Sequence, residues 1–286
     1  MTAHDRRLHA FRTDLADARL KGQVSAERFV TGRPARITAS VADVKKEPRA
    51  DSGIDTQLIY GDDVLVFDEM PGWAWMQCER DGYVGYVAEA DIGPREHAPT
   101  HRVIAPRSFV YPGADLRFAR AGELSMGSLV TVVGHAETRG TRYALLPSGE
   151  AVIDTHLAPL DHAADDFVAV AEKLLNTPYL WGGVSSFGID CSGLAQLSLL
   201  MAGRKVLRDS DMQAATVGEP IVPGPDFSGL QRGDFVFWSG HVAFMVDAEN
   251  IIHASGNTMM VTREPLKDAI ERIHPQYGAP SVFRRL

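Results

Sequence analysis

The chain has 286 residues of ordinary globular composition, a length that suggests two or three domains, each with its own core. Its 29 basic residues against 37 acidic ones give a formal net charge of -8, with no basic cluster to offset it, so a general nucleic-acid surface is excluded. Only two cysteines occur, Cys78 and Cys191, with no CxxC and no Cys/His pattern of metal-ligand spacing, so no metal site is expected.

The opening segment, MTAHDRRLHAFRTDLADARLKG, mixes acids and bases and has no central apolar run. It reads as neither a secretory signal nor a membrane span, which makes the cytoplasm the default expectation and leaves no membrane partner. Leu8, Phe11, Leu15 and Leu20 fall at roughly helical spacing with charges between them, and predict a helical arm within residues 1–32.

From about Arg33 the pattern changes to short apolar runs broken by turn residues. Gln57 to Tyr60, Val64 to Phe67, Trp73 to Gln77 and Tyr83 to Val87 predict the strands of a small barrel over residues 33–97. A second set, Arg102 to Ala105, Phe109 to Tyr111, Leu129 to Val133, Tyr143 to Leu146 and Ala151 to Ile153, has similar spacing and suggests a duplicated β domain over residues 98–160. Around Ala158 to Ala164 the composition shifts, and a last domain, 161–286, opens with a helix over Asp166 to Leu175. Trp73, Trp75, Trp181 and Trp238 read as packing residues.

The chemistry gathers in that last domain. Cys191 precedes an apolar stripe, Leu194, Leu197, Leu200 and Met201, that stops at Gly203, so it sits in a first helical turn. Unpaired N–H groups there favour an anion, which predicts a lowered thiol pKa and donors for an oxyanion. Downstream, Gly233-Asp234 opens a β meander that carries His241 and His253. Both imidazoles share one sheet face only if the loop from Val246 to the next strand has an odd number of residues, and the expectation is 247–249. One histidine then accepts the cysteine proton while the other orients it, the logic of acyl transfer.

Tyr179-Leu180-Trp181-Gly182-Gly183, Asp190-Cys191-Ser192-Gly193, Gly233-Asp234, Gly240-His241-Val242 and Ile252-His253-Ala254 occur in the order and spacing of the NlpC-type cell-wall cysteine peptidases, which residues 164–286 resemble. Leu58-Ile59-Tyr60-Gly61-Asp62, Trp73-Ala74-Trp75 and Asp81 to Val87 resemble a bacterial SH3-like domain. The resemblance implies an α+β fold, with a papain-like domain behind two SH3-like β-barrels and the helical arm. It implies Cys191 as nucleophile, His241 as base, His253 as polar third member and Tyr179 beside the oxyanion, with no cofactor.

Relatives of this architecture cleave the γ-D-glutamyl to diamino-acid bond of peptidoglycan stem peptides, the diamino acid being meso-diaminopimelate or lysine. By the same resemblance, Asp190, Ser192 and Ser210 bind the substrate's L-Ala and D-Glu, with Asp190 holding the free ammonium. An SH3-like tyrosine, Tyr83 or Tyr86, and an acid, Asp51 or Asp55, complete the pocket and roof it, restricting the enzyme to short peptides. An amidase or acyltransferase on the same core, and a wall-binding protein without catalysis, are the alternative readings.

Overall fold

In the computed structural model, which describes residues 4–286, the alternating apolar runs of the N-terminal half become antiparallel strands. One compact unit ends at Leu160 and a second spans Asp161–Leu286. In the first, a seven-stranded sheet runs in the order Ile54–Ile59, Val41–Lys45, Val84–Ala88, Trp73–Cys78, Asp63–Met70, Arg33–Ile37 and Ile92–Gly93. Alternate side chains turn inward, so Ala35, Ile37, Ala42, Val44, Val64 and Met76 form its core.

The second set of runs forms a five-stranded sheet, from Arg107–Tyr111 to Ala151–Ile153, and a three-stranded one of His101–Val103, Leu129–Val130 and Leu157–Pro159. Both sets close alike. Val84–Ala88 leads through a 3-10 turn, Glu89–Asp91, to Ile92–Gly93; Ala151–Ile153 leads through Asp154–His156 to Leu157–Pro159.

Among the described residues the expected helical arm does not form, and residues 1–3 of it lie outside them. Leu15–Asp17 and Arg28–Val30 are short parallel strands, with a 3-10 turn, Ala18–Leu20, after the first of them. Of the residues that suggested a helical stripe, Leu15 is buried in a cluster with Ala10, Phe67 and Trp75. Arg12 lies 4.5 Å over the Trp75 ring and pairs with Asp68 at 2.5 Å. Those tertiary contacts outweigh a helix propensity of only tenths of a kcal/mol per residue, about 0.7 at most.

The five longer strands of the second unit's six-stranded sheet are numbered β1 (Phe235–Trp238), β2 (His241–Met245), β3 (Asn250–Ser255), β4 (Met260–Pro265) and β5 (Val282–Arg285), with the short strand Glu219–Pro220 beyond β5. They pair antiparallel in the order β5-β1-β2-β3-β4. Its helices are α1 (Phe167–Glu172), α2 (Cys191–Met201), α3 (Ser210–Thr216) and α4 (Leu266–Tyr277). One sheet face packs Phe235 and Phe244 against Phe167 of α1, at ring distances of 5.4 and 5.3 Å. The other packs Ala243, Met245 and Ile251 against Leu266, Ala269 and Ile273 of α4. Helix α2 is buried along nearly its whole length between α1, β2 and β3, its polar residues Ser192, Gln196 and Ser198 included. No helix among the described residues is long and apolar enough to cross a membrane.

Candidate active site

Asp190 makes the local structure that holds Cys191. Its extended backbone starts α2, and its Oδ1 accepts from the Gly193 N–H at 2.7 Å, an N-cap bond worth about 1 kcal/mol. Oδ2 accepts from the Gly182 N–H at 2.9 Å and so draws the glycine loop against the helix start. The approach requires glycine: a Cβ on Gly193 would lie 2.2 Å from the Gly183 carbonyl oxygen. Arg208 completes the arrangement, with Nη1 to Oδ1 at 3.0 Å and Nη2 to Oδ2 at 2.7 Å, its side chain only 1% exposed.

The Asp190 carboxylate, expected to hold a substrate ammonium, is taken up here by a bidentate guanidinium and two backbone N–H groups, which gives it a scaffold role. Ser192 belongs to the same cluster, since its hydroxyl donates to Asp190 Oδ1 at 3.2 Å and accepts from Arg208 Nη1 at 2.6 Å. Ser210 is half-buried at the first position of α3. Gln213, one turn on, ties α3 to α2 by donating to the Ser192 carbonyl at 3.0 Å. Sequence reading missed Arg208 and Gln213 as organisers, although both lie within three residues of Ser210.

The histidines meet as the parity argument requires. Met245 pairs with Ile251 and the Val246 N–H donates to the Asn250 carbonyl, which leaves a three-residue turn, 247–249. His241 and His253 therefore point to one face, with His241 Nε2 2.8 Å from His253 Nδ1. His253 is buried, and its Nε2 lies 2.7 Å from Glu264 Oε1 of β4. Arg272 of α4 binds the same carboxylate oxygen. Neither Glu264 nor Arg272 stands in a recognisable motif.

Electrostatics differ from the expectation for a helix N-terminus. Burial, reinforced by the Asp190 carboxylate, pushes the Cys191 thiol up to about 12, against the opposing pull of the Val242 and Ser192 N–H groups and Arg208. The expected lowering fails because desolvation of the thiolate outweighs the dipole. Burial, then His253 and Arg272, holds His241 down at about 3, and the Trp238 ring packs 5.6 Å from its imidazole. The resting pair is thus a neutral thiol and a neutral imidazole. Burial and the nearby Cys191 and Asp190 raise the Tyr179 hydroxyl well above its usual value.

A cavity of about 330 Å³ opens beside the histidines, lined by Tyr179, Trp181, His241, His253, Asn257 and Tyr277 among others. Trp181, read from sequence as packing, is 70% exposed here, while Trp75 and Trp238 are buried. In the first unit a separate cavity of about 430 Å³ is lined by Asp55, Tyr83 and Tyr86 together with Arg12 and Trp75. Tyr83 is nearly buried, and the Tyr86 hydroxyl accepts from Arg12 Nη1 at 3.0 Å. Asp51 is not brought to these tyrosines; its side chain is 79% exposed beside Arg49.

The model of the NlpC/P60 family matches residues 176–275, and that of the bacterial dipeptidyl-peptidase SH3 domain matches 44–92. Dipeptidyl-peptidase 6 of Lysinibacillus sphaericus is 27% identical over 264 residues, 84% of this chain and 93% of that protein. The gamma-D-glutamyl-L-lysine dipeptidyl-peptidase of Bacillus subtilis is 25% identical over 227 residues, 71% of this chain and 73% of that protein. Among solved structures, an NlpC/P60 family protein from Bacillus cereus shares the fold at a TM-score of 0.72 and 21% identity, covering 88% of this chain and 99% of the other. The cysteine-bearing helix on a histidine-bearing antiparallel sheet is the papain-like arrangement, and the chain carries an NlpC/P60 peptidase domain with a bacterial SH3 domain ahead of it.

Proposed function

We propose that the chain hydrolyses the γ-D-glutamyl to diamino-acid bond of peptidoglycan stem peptides that begin with a free L-Ala, through a thioester on Cys191. One observation carries the chemistry: His241 and His253, 2.8 Å apart, lie on the strand pair against which the Cys191 helix packs. The names of the two dipeptidyl-peptidases above support the substrate class.

His241 takes the thiol proton as sulfur attacks the γ-carbonyl carbon of D-Glu. The Cys191 N–H and the Tyr179 hydroxyl face the oxyanion, since the Gly193 N–H is committed to Asp190. Collapse breaks the carbon–nitrogen bond, and His241 returns its proton to the departing amine. A water deprotonated by His241 then cleaves the thioester, releasing L-Ala-D-Glu and restoring the thiol. Because the proton donor must touch the leaving nitrogen, the diamino acid occupies the cavity that His241 lines, its side-chain ammonium over the exposed face of Trp181.

The substrate's own ammonium needs an acid, and Asp190 and the two acids that flank Ser210, Asp209 and Asp211, are the residues to test. The deciding experiment incubates the protein with L-Ala-γ-D-Glu-diaminopimelate, its lysine analogue and their N-acetylated forms, with products read by mass spectrometry. Cleavage of the free peptides is expected, and cleavage of none of the four rejects the assignment. Cys191→Ala is expected to lose turnover while keeping the fold.

A further inference from the structure

The hydrogen-bonded chain does not end at His253. Ile251 pairs with Glu264 and His253 with Thr262 across β3 and β4, so Glu264 projects from the same face as His253, one diagonal step away. Its carboxylate meets His253 Nε2 at 2.7 Å and is gripped on the other side by Arg272. Burial opposes ionisation of Glu264, but His253 and Arg272 outweigh it and hold the carboxyl below its usual range.

An ionised carboxylate only accepts, so His253 Nε2 carries a hydrogen. A neutral imidazole has one donor and one acceptor, which makes His253 Nδ1 the acceptor. The nitrogen 2.8 Å from it, His241 Nε2, is then the donor, and the one remaining lone pair on the two rings is at His241 Nδ1. Each bond in the series forces the direction of the next.

We propose that Glu264, clamped by Arg272, is a positioning residue that fixes the tautomers of both histidines and so presents an unprotonated His241 Nδ1 to the Cys191 thiol. Glu264 contacts His253 and Arg272 and acts through His253. The proposal deepens the peptidase reading given above and rests on it for its kinetic readout, though not for its spectroscopic one.

Glu264→Gln tests it, because an amide of the same shape can turn its NH2 toward His253 Nε2 and reverse every bond in the series. Nitrogen-15 spectra of the full chain, labelled at histidine, read the tautomers without substrate. In the unaltered protein His241 is expected to carry hydrogen at Nε2 and none at Nδ1; in Glu264→Gln a population protonated at Nδ1 appears. The kcat should fall by roughly 10²–10⁴, as when a triad carboxylate becomes an amide, with KM within about threefold.

The proposal is overturned if unaltered His241 carries its hydrogen at Nδ1, if His253 is doubly protonated, or if the variant leaves tautomers and kcat unchanged. A protein that cleaves no stem peptide yet shows the expected spectra would reject the substrate assignment and leave the relay standing.

Discussion

Asp190 is surrounded by donors: the Gly182 and Gly193 N–H groups, the Ser192 hydroxyl and both terminal nitrogens of Arg208. Removing it strands a buried guanidinium, so Asp190→Ala is expected to destabilise the second unit by about 3–5 kcal/mol in urea titration. Activity on free and N-acetylated peptides should fall by the same factor, and a selective loss on the free peptide would restore the ammonium-binding role. Trp181 gives the opposite kind of prediction. Trp181→Ala should leave stability unchanged and lower kcat/KM about 3–10-fold for a substrate with lysine in the third position, since an exposed cation–π contact is worth about 0.5–1 kcal/mol and burial of its stem adds a little. With norleucine there, the expected change is under about twofold.

Cys191, His241 and His253 were legible because each chemistry-bearing residue stands in a short local pattern. Arg208 was not, since its partner lies 18 residues away and nothing local joins them. Glu264 is one acid among 37 aspartates and glutamates, and only strand register gives it meaning.

At the level of elements, the site depends on one close approach, one count and one charge. Gly193→Ala puts a methyl group into the Gly183 carbonyl, and should separate the glycine loop from α2 with a loss of both thermal stability and turnover. The turn between β2 and β3 is held by Asp247, whose Oδ1 accepts from the Glu249 and Asn250 N–H groups at 2.9 and 2.8 Å. One residue inserted into 247–249 makes the count even and turns His253 to the opposite face; activity should disappear, whereas exchange of Glu249 for another polar residue should preserve it. Helix α4 acts through charge, because Arg272 disfavours protonation of His241. Arg272→Met should therefore move the acid limb of the kcat/KM profile to higher pH, and an unmoved or lowered limb would contradict that influence. Element types followed from alternation and from the stripe after Cys191, and the loop count from pairing parity. The N-terminal arm was misread because a sparse helical spacing of leucines carries no information about Trp75 and Phe67, the residues that capture it.

For the molecule as a whole, the buried thiol and imidazole set limits on the pH range of stability. His241 falls from an ordinary 6.5 to about 3, so below 6.5 the unfolded chain gains a proton that the folded chain refuses, and stability declines as pH falls. Cys191 rises from 9.0 to about 12, so stability present below 9.0 declines as pH rises beyond it. Urea midpoints for the second unit, read by hydrogen exchange in α2, should form a plateau between about pH 6.5 and 9 and drop on both sides. The division into a strand-rich first half and a mixed second half was visible in the shift of composition at Ala158 to Ala164. The layout of the second set of strands was less so, because several of its runs are only two or three residues long.

The same carboxylate that starts α2 also tethers the glycine loop and seats Arg208, so assembling the nucleophile and folding the domain are one event. Loosening the start of α2 therefore breaks the buried Arg208 pair as well, which couples the placing of the thiol to the stability of the domain. In denaturant, catalytic competence and the protection of α2 should vanish at the same midpoint, and an inhibitor of this domain has to occupy the site rather than loosen it.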